Sequence, residues 1–82
     1  MSDADELLKR ITRNPEILGG KPTIRGKRLA VEHIFGMLSA GDSPEILLAH
    51  YPWLERDDIR ACFLYAARAL RRERMAETVD AK

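Results

Sequence analysis

The sequence predicts a small, mainly α-helical domain in which a short N-terminal β element precedes a bundle of three helices. Apolar residues recur at helical spacing only after residue 30, whereas glycine and proline interrupt residues 10–28 every few positions. The 82 residues suffice for one hydrophobic core, and 45% hydrophobic with 33% charged residues is typical of a folded globular chain. We therefore divide the chain into an acidic segment 1–9, a single domain 10–75 and a flexible tail 76–82.

The β element is predicted from two short stretches, residues 11–13 and 23–24, with a turn at Gly26 before residues 27–29. Strands of this length are marginally stable alone and need a surface to pack against. We therefore expect a homodimer in which the N-terminal segments help to bury one another.

The first predicted helix covers residues 31–40 and carries apolar residues at i, i+3, i+4 and i+7: Val31, Ile34, Phe35 and Leu38. Gly41 then supplies the left-handed position at which many helices end. The second helix follows at once, because Ser43 is a good N-cap and Pro44 fits the first helical position. It ends before Pro52.

The third predicted helix is the longest and covers residues 55–75. At 100° per residue, its buried face is predicted to consist of Ile59, Cys62, Phe63, Ala66 and Leu70. The outer face then carries Asp57, Ala61, Leu64, Arg68, Arg72 and Met75. The second and third helices form the short helix, tight turn and long helix of a helix-turn-helix unit, although small bundles without DNA-binding activity share this layout.

Basic residues are concentrated between Lys9 and Arg28, where seven lysines and arginines accompany one acid, while the net charge of the chain is +1. The glycine-rich stretch in this region is not a nucleotide-binding loop. Aligning its Gly-Lys pair with the P-loop pattern puts Pro15 in place of the first glycine and Pro22 in place of the hydroxyl residue.

Five motifs in order resemble the domain of unknown function 433 family: NPEILGGKPTIRG (14–26), RLAV (28–31), AGDSPEIL (40–47), YPWL (51–54) and DIRACFLYAA (58–67). The resemblance implies a homeodomain-like helix-turn-helix fold preceded by a short β element. The chain departs from the family pattern at Lys27 and Ala30, where threonine and proline are frequent. It departs again at Glu55, where a threonine or serine usually caps the third helix.

The resemblance also implies a function, since proteins of this family are usually described as VapB-type antitoxins. It implies an antitoxin of a type II toxin–antitoxin pair, which binds and neutralises a PIN-like ribonuclease toxin, with double-stranded operator DNA as a second expected partner. Two alternatives stay open. One is a stand-alone DNA-binding transcriptional regulator, and the other is a protein-interaction module that has lost DNA binding.

The candidate DNA contacts form two groups: Lys21, Arg25, Lys27 and Arg28 before the first helix, and Arg56 and Arg60 at the start of the third. The first group has the charge to follow a phosphate backbone, or else forms a solvated strand edge that resists aggregation. In the second group arginine can pair with guanine. The neighbouring acids Glu55, Asp57 and Asp58 would face phosphates and oppose binding.

The candidate contacts with a partner or a second subunit lie on the outer face of the third helix: Leu64, Arg68, Arg72 and Met75. The alternative is a solvated helix end, where the dipole favours cations. Trp53, in the turn before this helix, either fills the angle between two helices or is an exposed anchor for a partner.

The sequence contains no evident nucleophile with a neighbouring base, so we expect no enzyme. His33, His50 and Cys62 match no zinc spacing, so we expect no metal and no other cofactor. A single cysteine permits no intramolecular disulfide, the acidic start is unlike a signal peptide, and no apolar run approaches the roughly 18 residues of a membrane span. We therefore expect a cytoplasmic protein without a membrane partner.

Overall fold

A computed structural model describes residues 2–76, with side chains described up to Arg72. The elements in chain order are helix α1 (Asp3–Leu8), strand β1 (Ile11–Thr12), a 3₁₀ turn (Leu18–Gly20), strand β2 (Thr23–Ile24), helix α2 (Val31–Ser39), helix α3 (Pro44–His50) and helix α4 (Arg56–Ala76). The mainly helical fold with a short N-terminal β element is confirmed. Apart from Ala76, the predicted tail 76–82 lies outside the described residues.

The two strands form an antiparallel pair, with Ile11 opposite Ile24 and Thr12 opposite Thr23. Ile24 has no exposed surface, because it belongs to the core cluster that the helices complete. Strands of two residues are marginally stable alone, and here the helices of the same chain supply the surface against which they pack.

A tight turn follows β2 and reverses the chain. Arg25 (φ 46°) and Gly26 (φ 72°) both adopt the left-handed conformation, and the N–H of Lys27 donates to the carbonyl oxygen of Ile24 at 2.8 Å. The chain then runs back beside β2, where the N–H of Ile24 donates to the carbonyl oxygen of Leu29 at 3.1 Å. We call residues 25–28 the hairpin turn.

Helix α1 was not predicted. Ser2 caps it, since its hydroxyl oxygen accepts the N–H of Asp5 at 3.2 Å, and the acids of the first turn lie at the positive end of the helix dipole. Leu7 is buried, and α1 packs along α4. The acidic segment 1–9 is therefore largely a helix docked on the domain.

The first two predicted helices correspond to α2 and α3. Ser43 caps α3 by accepting the N–H of Ile46 at 3.3 Å, and Gly41 (φ 110°) follows α2 in a left-handed conformation. Ala30 precedes α2 and has no polar side chain. Instead, Nδ1 of His33 accepts the N–H of Ala30 at 3.2 Å, so a side chain from the first turn provides the cap.

The predicted buried face of the third helix is wrong in part. In α4, Ile59 and Cys62 are buried, but Phe63 and Leu70 are 52% and 64% exposed, and Ala61, assigned to the outer face, has no exposed surface. The prediction assumed that α4 is covered on one side. Because α1 covers a second side, the buried arc is rotated away from Phe63.

Leu64, predicted to point away from the core, is half-buried, whereas residues 67–72 of α4 are all exposed. The buried core lies between the strands, α2, α3 and the first two turns of α4: Ile24, Leu29, Val31, Ile34, Leu47, Leu54, Ile59 and Cys62. The second half of α4 therefore extends beyond the core. No helix among residues 2–76 is long and apolar enough to cross a membrane.

Candidate functional site

One buried carboxylate joins three separate segments of the chain. Asp58, the third residue of α4, has no exposed surface. Its Oδ1 accepts from Nε of Arg25 at 2.9 Å and from Nη1 of Arg10 at 3.1 Å. Its Oδ2 accepts from Nη2 of Arg25 at 2.8 Å and from the backbone N–H of Glu55 at 2.9 Å. We call Arg10, Arg25 and Asp58 the Asp58 cluster.

The electrostatics of the Asp58 cluster favour the charged state of every member. Burial alone would raise the pKa of Asp58, but the hydrogen bonds from Arg25, from the N–H of Glu55 and from Arg10 outweigh it and hold that pKa below its ordinary value. The pKa of Arg25 is raised by Asp58, and that of Arg10 is raised by Glu55 and Asp58. A buried carboxylate that is paired in this way is costly to leave without its partners.

The Arg25 side chain makes two further contacts besides its ion pair with Asp58. Its Nη2 also donates to the carbonyl oxygen of Trp53 at 2.8 Å, and its guanidinium carbon lies 5.7 Å from the centre of the Trp53 ring. A left-handed conformation is unfavourable for a residue with a side chain, so these contacts stabilise a strained position. Arg25 was predicted to contact DNA, but here it ties the hairpin turn to the start of α4.

Trp53 is half-buried. Its ring packs against the core, with Tyr51 edge-on at 6.1 Å, while Nζ of Lys27 lies 5.4 Å from the ring centre. The Trp53 side chain therefore fills the space between the α3–α4 connection and the hairpin turn. The two cations near it come from that turn.

Asp58 also stabilises the start of α4. Glu55 precedes the helix, and its backbone N–H donates to Oδ2 of Asp58, three residues later, at 2.9 Å. This is one half of a capping box. The same carboxylate therefore starts α4 and anchors the hairpin turn.

Three of the other predicted DNA contacts are engaged with acids. Nζ of Lys21 lies 3.0 Å from Glu32, Nη2 of Arg56 lies 3.2 Å from Glu45, and Nη1 of Arg60 lies 3.0 Å from Asp57. All are exposed ion pairs of the kind that contributes about 0–1 kcal/mol. The acids nevertheless lower the positive potential at the start of α4, where a recognition helix would meet DNA.

Lys27 and Arg28 are the two predicted DNA contacts without a carboxylate partner among the described side chains. Both are exposed on the hairpin turn. The geometry therefore leaves two of the four predicted basic contacts available, Lys27 and Arg28, of which Lys27 lies over the Trp53 ring.

The predicted partner contacts Arg68 and Arg72 come together at one concave surface. They are exposed, lie one turn apart on α4, and have no acidic partner among the described side chains. We call this pocket of about 260 Å³ the α1/α4 groove, and it is lined by Leu8, Ile11, Tyr65, Arg68, Ala69 and Arg72. The groove thus combines an apolar floor with two cations. Met75, also predicted here, lies outside the residues whose side chains are described.

A second pocket, of about 270 Å³, lies at the start of α4 and is lined by Pro44, Arg56, Ile59, Arg60 and Phe63. We call it the α3/α4 pocket. Phe63 is fixed at its edge by Phe35, whose ring is 5.3 Å away in an edge-to-face arrangement. This pocket and the α1/α4 groove lie on different sides of α4.

Among the residues considered as metal ligands, His33 caps α2 and Cys62 is fully buried. Burial raises the pKa of the Cys62 thiol to about 12, with Asp58 adding to the effect, so the thiolate is not available at neutral pH. Within residues 2–76, no group of three or more histidine, cysteine, aspartate or glutamate side chains is placed to hold a metal ion.

Sequence reasoning missed the roles of Arg10 and Asp58. Asp58 was interpreted as one of three acids that would face phosphates and oppose DNA binding. Its partners lie 33 and 48 positions away in the chain, so no local spacing could have indicated them. The sequence did offer one signal. Asp58 lies next to Ile59 on the side of α4 that carries the core, and a carboxylate in that position needs partners for its charge.

The fold and surface define a small, mainly helical domain in which a buried aspartate pairs with two partly exposed arginines and a cationic groove lies on the surface. The family model described as Protein of unknown function (DUF433) matches residues 11–66. The chain therefore belongs to the DUF433 family, as the sequence motifs indicated.

Two relatives support this assignment. The chain is 40% identical over 56 residues to the Uncharacterized protein y4eO of Sinorhizobium fredii, a match that covers 68% of this chain and 25% of that protein. The chain thus spans a quarter of that relative's length. It also resembles the crystal structure of a DUF433 member protein from Anabaena variabilis, with a TM-score of 0.73 and 28% identity over 83% of this chain and 67% of that one.

Proposed function

We propose that this protein acts by binding another protein rather than by catalysis, as the antitoxin of a type II toxin–antitoxin pair that neutralises a PIN-like ribonuclease toxin. The observation that carries the proposal is the α1/α4 groove. It brings Arg68 and Arg72, two of the contacts suggested by the sequence, onto a shared apolar floor.

The chemistry of the groove indicates what it would bind. Leu8, Ile11 and Tyr65 provide apolar surface, and burying such surface favours association. The two arginines each present a planar guanidinium that pairs well with a carboxylate. A protein segment that combines an apolar side chain with aspartate or glutamate is therefore the best match.

The proposal is tested by purifying the protein from its native host under mild conditions and identifying the protein that accompanies it. The expected partner is a small nuclease whose cleavage of RNA stops when this protein is added in equal amounts. Inhibition of the nuclease should be relieved by the substitution Arg72→Glu. A partner without nuclease activity would favour the interaction-module alternative and refute the antitoxin proposal.

A matched control separates the groove from general charge effects. Arg71 is exposed on α4 next to Arg72 but does not line the groove. We expect Arg68→Glu and Arg72→Glu each to weaken binding of the nuclease about tenfold or more, and Arg71→Glu to change it less than about threefold. Equal effects of all three substitutions would show that the groove is not the contact.

Operator DNA is a second candidate partner, favoured by one observation. Lys27 and Arg28 project from the hairpin turn without carboxylate partners among the described side chains. Two phosphate contacts would give a shallow salt dependence, with affinity for duplex DNA falling about tenfold between 50 and 200 mM salt. The double substitution Lys27→Glu/Arg28→Glu should abolish that binding, while Arg56→Gln should leave most of it.

This measurement also distinguishes the alternatives. Binding of duplex DNA by a protein that carries no nuclease partner would favour the stand-alone regulator. If no binding is detected even at 50 mM salt, the regulatory role fails, and protein binding remains the proposed function.

A further inference from the structure

On the side of α4 away from the α1/α4 groove, the helix exposes an apolar stripe. Phe63 and Leu70 are 52% and 64% exposed, and seven positions along a helix return to within about 20° of the same direction. Ala67 lies between them in the sequence, about 40° from the direction of Phe63 and about 60° from that of Leu70. No described element covers this stripe, because residues 67–72 are all exposed.

The same side of α4 carries the α3/α4 pocket. Its apolar lining comes from Pro44, Ile59 and Phe63, and its volume of about 270 Å³ has room for an aliphatic side chain. The α4 residues that line it are centred about ten positions before Leu70, which is about 15 Å along the helix axis. One surface therefore holds both a projecting apolar side chain and an apolar pocket.

We propose that two copies of this chain associate through antiparallel α4 helices, with Leu70 of each copy seated in the α3/α4 pocket of the other. A two-fold contact requires one patch to be complementary to itself, and a projection and a pocket on the same face satisfy that requirement. Pairing Leu70 with a pocket centred about ten positions earlier puts the two-fold axis near residue 65. Phe63 of each copy then faces Ala66 and Ala67 of the other, whose small side chains leave room for the ring.

Charge supports a second copy as the occupant. Beside the pocket, the cations of Arg56 and Arg60 are paired with three acids: Glu45, Asp57 and Asp3. Beside Leu70, Arg71 is exposed and has no acidic partner among the described side chains. Antiparallel pairing brings Arg71 toward these acids of the other copy, of which Asp57 also lies 3.9 Å from Nη2 of its own Arg10.

The position of the contact also fits the shape of the chain. The core ends near the middle of α4, so the second half of the helix extends past it. In the antiparallel pair, that extension from each copy lies along the body of the other. This contact uses the side of α4 opposite the α1/α4 groove, so it does not depend on the proposed function.

Sedimentation equilibrium of the full chain tests the proposal. We expect a monomer–dimer equilibrium that Leu70→Glu shifts toward monomer, with the dissociation constant raised at least tenfold, because a carboxylate replaces the buried side chain. Arg72→Glu, on the opposite side of the helix, is the control and should change the constant less than about threefold. Circular dichroism checks that both variants keep their helices.

Two outcomes would overturn the proposal. One is a wild-type chain that stays monomeric up to about 200 µM, where even weak contacts are populated. The other is a Leu70→Glu variant that dimerises as well as the wild type.

Cross-linking tests the antiparallel placement. Ala67→Cys puts a thiol near the two-fold axis, so a short bismaleimide reagent should link two copies, whereas Ala69→Cys, which lines the α1/α4 groove, should not be linked. Cys62 does not interfere, because it is buried and its pKa is raised to about 12. Linking through Ala69→Cys, or through neither variant, would contradict the proposed contact.

Discussion

Replacement of Asp58 by asparagine tests the Asp58 cluster most directly. The substitution preserves the size of the side chain and removes its charge, so Arg25 and Arg10 lose the anion that they share. Breaking a buried ion pair typically costs about 3–5 kcal/mol. Because the side chains of Arg25 and Arg10 are 33% and 27% exposed, water replaces part of the lost interaction, and we expect the lower end of that range.

This loss is large for a chain of 82 residues, whose total stability is about 4–12 kcal/mol. Urea unfolding followed by far-ultraviolet circular dichroism measures it as a lower midpoint at an unchanged slope. Asp57→Asn is the matched control, since Asp57 is exposed, pairs with Arg60 at 3.0 Å and reaches Arg10 only at 3.9 Å, and exposed ion pairs are worth about 0–1 kcal/mol. The reasoning is refuted if both asparagine variants shift the midpoint equally.

Three further predictions follow from the structure. Folding lowers the pKa of Asp58, so its contribution to stability is present above the unfolded pKa of about 3.9 and is lost as the pH falls through the lower folded value. Asp58→Asn should therefore flatten the acid limb of the curve of stability against pH. An unchanged acid limb would contradict this. Gly26→Ala should destabilise the protein by about 1 kcal/mol, because φ is 72° at this position. Gly36→Ala should stabilise it by about 0.5–1 kcal/mol in the same urea assay, because Gly36 lies in α2 and the added carbon has no atom within 4 Å. Cys62 should stay unmodified by a thiol reagent at pH 8 until urea unfolds the chain, and rapid labelling of the native protein would contradict its burial.

Local patterns were sufficient to predict α2, α3 and the bounds of α4. Ser43, Pro44 and Gly41 define helix ends through backbone hydrogen bonds and conformations that each depend on a few neighbouring residues. The strand pair was also predicted, because turn residues bracket it. The helix ends depend on interactions within about four positions, which a sequence displays directly, whereas the strand pair joins positions 11 to 13 apart and was indicated only by its turns.

The rest depends on contacts between distant positions. Helix α1 has only six residues and is stabilised by packing on α4, so its own pattern is weak. Its absence from the prediction explains why the buried arc of α4 was placed toward Phe63. The role of Arg25 was missed for the same reason, since its partner Asp58 is 33 positions away and a basic residue in a turn ordinarily faces water.

The α1/α4 groove is assembled from both ends of the chain. Leu8 precedes the span shared with the family, residues 11–66, while Arg68 and Arg72 follow it. Membership of the family therefore predicts the fold of residues 11–66, but it does not predict which residues line the groove outside that span. Under the proposed function, exchanging the groove residues Leu8, Arg68 and Arg72 between relatives should therefore exchange partner choice, while Leu7 and Arg10, which also precede the shared span, are kept for packing and for the Asp58 cluster.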